Sequence, residues 1–170
     1  MIFVVFDVES VGLHGEAYAV GAVVRGPNGI LDTFYEACPS HDAVGTDADR
    51  EWIEKNVDPH LPAPTCFTAF EVRRKFWNWW GLWKRNGAKL AADVPWPVEG
   101  RFLNECVRNF GGEDGPYPLI DVASMRLAAG LNPLETLARE PDEMPAHNPL
   151  NDARQSARLL FEVLIDNLEF

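Results

Sequence analysis

The sequence predicts an α/β domain: a mixed sheet that opens with an antiparallel meander and is flanked by helices. Three observations carry that expectation. The first 37 residues hold three β-rich stretches separated by turn signals. Strand-like and helix-like segments alternate from there on. The last is a long amphipathic stretch near the C-terminus.

Each element has its own warrant. Residues 2–6 are continuously apolar and read as a buried strand. Ala17–Arg25 reads as a second strand. Pro27-Asn28-Gly29 is a turn, and Ile30–Ala37 returns as a third. Asp47–Asn56 is a short helix candidate, and Pro59, Pro62 and Pro64 punctuate the stretch after it. Thr65–Asn86 has helical period, with Phe76, Trp80 and Trp83 on one face. Ala88–Ala92 reads as a strand, Pro97–Phe110 as a helix, Leu119–Val122 as a strand, and Ser124–Ala129 as a helix stopped by Gly130. Asn148–Leu168 is the long final helix. Asn148 is its expected N-cap and Pro149 its first residue, where the missing amide costs nothing.

The chain has 170 residues, enough for one domain with a core, here taken as 1–170. With 46% hydrophobic and 24% charged residues it falls in the globular class. No apolar run approaches a membrane span, and no basic leader precedes the first strand. Cys38, Cys66 and Cys106 suit neither a disulfide framework nor zinc spacing, so a reducing cytoplasm is expected. A net charge of −11 argues against a broad basic face for nucleic acid. It leaves room for an enzyme whose acids are neutralised by cations.

Three segments offer chemistry. In Asp7-Val8-Glu9-Ser10-Val11-Gly12-Leu13, Asp7 and Glu9 are two apart on a strand and point to one side. Two close carboxylates repel unless a cation lies between them, and hard oxygen ligands suit Mg²⁺ or Mn²⁺. Alternatively they are two solvated acids. In His147-Asn148-Pro149-Leu150-Asn151-Asp152, a loop histidine precedes a helix whose first turns carry an acid. That arrangement serves a general base beside a metal ligand, or an acid that merely stabilises a helix start. Between them, Asp93 follows a strand and Glu99 opens a helix.

In this order, the three segments resemble the DEDDh group of DnaQ-like 3′–5′ exonucleases. Asp7-x-Glu9-Ser10-x-Gly12 is similar to that family's first motif, and His147-x(4)-Asp152 to its third. The compact length and tryptophan-rich middle look closest to the small bacterial and phage exoribonuclease-like branch. The resemblance implies an RNase H-like fold and hydrolysis from the 3′ end of RNA or single-stranded DNA, with two divalent cations. It implies Asp7, Glu9, Asp152 and a middle acid as metal ligands, and His147 as general base. Ser10, Val11, Gly12 and Leu13 would contact the terminal nucleotide. The middle motif departs from the family. Glu99, with Phe102 and Leu103 at the family's offsets, matches with Glu for Asp, while Asp93 keeps the residue type at the strand end. Glu99 is the favoured ligand. Asp121 matches a frequent family aspartate that is not a ligand.

Other features are ambiguous. The tract Phe76–Trp83 suits base stacking or, more readily, core packing. Trp77 and Trp79 lie off the Phe76 face and are candidates for a partner or lid surface, and a homodimer is an option. Arg73-Arg74-Lys75 and Lys84-Arg85 could steer phosphates or form a solvated face. His14, His41 and His60 read as loop residues. Two other functions compete: an exonuclease-like scaffold without turnover, and an RNase H-type endonuclease.

Overall fold

A computed structural model describes residues 1–111 and 115–167. Five strands form one mixed sheet in the order β3-β2-β1-β4-β5. They are β1 (Phe3–Ser10), β2 (Ala17–Gly26), β3 (Gly29–Ala37), β4 (Lys89–Ala92) and β5 (Leu119–Asp121). The first three pair antiparallel, as the turn signals require. β4 then joins β1 in parallel, and β5 joins β4 in parallel. The helices are α1 (Asp47–Asn56), α2 (Ala69–Arg85), α3 (Val98–Phe110), α4 (Val122–Ala128) and α5 (Pro149–Asn167). No helix among the described residues is long and apolar enough to cross a membrane.

The period-2 rule divides β1 between two cores. Val4, Phe6 and Val8 face α2 and α3, where Phe6 meets Phe76 at 5.3 Å and Phe76 meets Phe102 at 5.2 Å. Phe3 and Val5 face α5, where Phe3 packs edge-on to Phe161 at 5.9 Å. Asp7 and Glu9 continue that second row beyond the apolar part of the strand. All three cysteines are buried and unpaired.

Local capping explains most helix boundaries. Asn148 takes the Leu150 amide at 3.1 Å, as an N-cap should. The expected end of α5 at Leu168 lies outside the described residues. Asp121 caps α4 through the Ala123 amide at 3.1 Å, which starts that helix two residues before Ser124. α2 begins at Ala69 rather than Thr65, because Thr68 takes the cap position while Thr65 hydrogen-bonds to Ala37 of β3.

The aromatic helix corrects two expectations. Trp77 is buried, and the Trp79 ring packs 4.9 Å from Phe34. The Trp79 and Trp83 indoles both donate to Asp32, at 3.0 and 3.2 Å. β3 lies under α2, so the buried face is wider than one helical stripe. Trp77 and Trp79 are therefore core and inter-element contacts rather than a lid. Two of the cations also have structural tasks. Arg73 is buried between Glu16 and Glu105 at 2.8 and 3.0 Å, and Lys75 pairs with Glu36 at 2.8 Å.

Helix and sheet meet closely at a glycine. Gly21 of β2 is the register partner of Asp7. A Cβ at Gly21 would lie 2.1 Å from the Leu150 amide nitrogen and 2.3 Å from the Pro149 carbonyl carbon. The first turn of α5 thus rests directly on the β2 backbone, which only glycine permits. Backbone cannot yield as a flexible side chain can. Gly21→Ala should lower stability by about 1–3 kcal/mol, the usual cost of overpacking. A urea midpoint equal to that of the unsubstituted chain would contradict this contact.

Candidate metal centre

The seat of α5 on Gly21 places Asp152, in the helix's first turns, over the end of β1. Asp7, Glu9 and Asp152 each offer a carboxylate oxygen, and the three oxygens lie within 4.8 Å of one another. Residues from opposite ends of the chain thus converge. All three side chains are half-buried. Removal from water and mutual repulsion act in the same direction. Burial, then the charge of Glu9, holds the Asp7 carboxyl well above the usual range. Burial, then Asp152, pushes Glu9 up to about 8.

Glu99 sits beside the trio and is 7% exposed. Parallel pairing of β1 with β4 stops at Val5–Ala91. α3 starts close to the part of β1 beyond it, and the Val8 amide there favours the Glu99 carboxylate. Burial nonetheless pushes Glu99 up to about 7. Its charge acts on both Asp7 and Glu9. Asp93 stands further out. It is the last and weakest of the four acids that act on Asp7, and its own strongest charged neighbours are Asp121 and Arg126. One of its carboxylate oxygens is buried without a hydrogen-bond partner.

His147 immediately precedes α5 and is exposed, with a positive φ of 58°. That left-handed conformation is uncommon outside glycine and points its residue away from the regular chain path. Both the ring and the backbone amide of His147 favour the charged form of Asp152. The His147 ring stands edge-on to Trp52 of α1, with centroids 5.9 Å apart and planes at 87°. Trp52 is 53% exposed.

The Ser10–Leu13 segment is mostly occupied with its own structure. The Ser10 hydroxyl donates to the Gly12 carbonyl at 2.8 Å. Val11 is fully buried, and its amide donates to the Glu16 carbonyl at 3.0 Å. Gly12 has φ of 71° and lies against Asp49 of α1. Leu13, 64% exposed, is the side chain this loop presents outward.

Two residues of this region escape sequence reasoning. Trp52 carries no signal beyond an aromatic on a polar helix. Arg139 is a lone cation in an irregular segment, yet its Nη1 lies 2.5 Å from Asp152 Oδ1. The same Nη1 donates to the Glu143 carbonyl at 2.9 Å.

No protein-family model matches this sequence, and no curated protein matches it.

The raised carboxyls of Asp7, Glu9, Asp93, Glu99 and Asp152 make a definite pH signature. A carboxyl whose folded pKa lies above its unfolded value stabilises the fold only while protonated. Its contribution is complete below about pH 4 and is lost as pH rises through the folded value, near 7 for Glu99 and near 8 for Glu9. The chain without divalent ions should therefore lose stability between pH 5 and 8. Glu9→Gln should raise its melting temperature at pH 8 by about 2 °C or more, the shift that ~1 kcal/mol produces at this size. Equal melting of the two proteins across that range would contradict the crowded arrangement.

Proposed function

We propose that this chain is a metal-dependent 3′–5′ exonuclease acting on RNA or single-stranded DNA. The observation that carries the reading is the meeting of Asp7, Glu9 and Asp152 within 4.8 Å, drawn from a strand and a helix at opposite ends of the chain. Glu99 beside them and His147 at the rim complete the set that the DEDDh resemblance implies. An antiparallel meander followed by parallel strands, with helices on both faces, is consistent with the RNase H-like architecture of those nucleases.

The donor set fits hard divalent cations such as Mg²⁺ or Mn²⁺. It consists of carboxylate oxygens, with raised carboxyls that a cation would return to the charged form. Asp7, Glu9 and Asp152 would hold such ions, with Glu99 beside them as the middle acid. Bound there, such ions would polarise the phosphodiester and ease ionisation of the attacking water. A ring nitrogen of His147 would accept the water's proton as general base. Leu13 and Trp52 would flank the terminal base, which stacks on exposed apolar faces without regard to sequence. The acid-rich surface gives no long track for the substrate, which agrees with action at an end. Asp93 is reserved as the alternative middle ligand.

Incubation with 5′-labelled RNA and DNA oligomers is the direct test. In Mn²⁺ the products should shorten stepwise from the 3′ end, and EDTA should stop the reaction. His147→Ala should lose about 100-fold or more in rate while retaining oligomer binding. Internal cuts would indicate an endonuclease, and binding without cleavage a scaffold. Either result would overturn the proposal.

A further inference from the structure

Asp7, Glu9 and Asp152 do not share the same environment. Among the described residues, Asp152 alone of the three has a cation in contact: Arg139 Nη1 at 2.5 Å, with both side chains largely shielded at 22% and 16% exposure. Arg139 lowers the Asp152 carboxyl against the burial that raises it. The same Nη1 donates to the Glu143 carbonyl at 2.9 Å, so it is shared between two acceptors.

The contact with Asp152 places a positive charge on one of the three carboxylates the cluster would offer to an ion. A guanidinium already in contact with Asp152 raises the cost of bringing a second positive charge to that carboxylate. The guanidinium has somewhere to go. Arg139 borders an open cleft of about 170 Å³, lined also by Asp93, Arg126, Thr136 and Gln155. Its supporting turn is independently fixed. The Glu140 amide donates to Glu143 at 2.9 Å, and Arg158 holds Glu143 with two further bonds at 2.7 and 2.9 Å. The side chain can therefore change partner without unfolding its loop.

We propose that Arg139 is an exchangeable counter-ion: it holds Asp152 while no divalent cation is bound, and on cation binding gives up that carboxylate for a phosphate of the substrate. Arginine suits both partners, because its planar donor set matches carboxylate and phosphate alike and stays charged throughout. No proton or bond is transferred in the exchange. Arg139 is thus a substrate-binding residue whose availability depends on the ion. The exchange rests on the metal-dependent nuclease reading of the site.

Calorimetric titration of the full chain tests the exchange without any turnover. Mn²⁺ is titrated into the unsubstituted protein, Arg139→Lys and Arg139→Gln, and adenosine 5′-monophosphate into each Mn²⁺-loaded protein. Arg139→Gln should bind Mn²⁺ about threefold or more tightly, because no guanidinium competes. It should bind the nucleotide about tenfold more weakly, because a charged hydrogen-bonding partner is lost. Arg139→Lys should fall between the two in both titrations. Unchanged or weaker Mn²⁺ binding by Arg139→Gln would mean that Arg139 merely props Asp152. Unchanged nucleotide affinity would exclude the phosphate role. Either result overturns the exchange and leaves the nuclease reading standing. A failure of all three proteins to bind Mn²⁺ would remove the metal reading itself.

Discussion

The contact of the α5 backbone with the β2 backbone at Gly21 is the constraint on which this candidate site depends. With no Cβ in the way, the first turn of α5 rests on the strand next to Asp7. That contact sets where Asp152 falls. Asp152 lies one helical turn past the Asn148 cap, so a cap fixed by the Leu150 amide leaves the acid little freedom. Asn148 is tied again by its own donation to the His60 carbonyl at 3.0 Å. The helix start is therefore held on two sides before any ligand arrives.

The cost of this seating is electrostatic. Four acids are brought into a partly dry region where none can ionise cheaply, and their carboxyls rise together. A fold tolerates such a cluster when something else depends on it. Among the described residues the cations nearby are few. Arg139 meets Asp152, and Arg126 acts on Asp93. Elsewhere the chain spends its cations on structure, as with Arg73 between Glu16 and Glu105. The acid cluster is thus underneutralised by its own protein, and that imbalance is the physical reason to expect divalent ions.

Much of the fold and of the acid cluster was legible in the sequence, for reasons that can be located. The meander was readable because its turns carry Pro27-Asn28-Gly29, and α5 because asparagine and proline stand where a helix begins. Asp7 and Glu9 were readable as a pair because strand geometry puts alternate residues on one side. The fate of Trp77 and Trp79 was not, since the helical wheel assumes one buried stripe and β3 supplies a second surface. That Glu99 stands nearer the trio than Asp93 depends on the end of the β1–β4 pairing at Val5–Ala91, which no local pattern announces. Arg139 was invisible because its meaning lies in a contact with Asp152, across an irregular loop. Local periodicity and capping are written in neighbouring residues; partner choice between distant side chains is not.

If the carboxylates of Asp7, Glu9 and Asp152 form one divalent-cation site, crystals grown in Mn²⁺ should reveal it most directly through anomalous scattering. A strong peak is expected about 2.1 Å from oxygens of all three side chains. Peaks only at scattered surface acids, with the three carboxylates turned apart, would contradict the site.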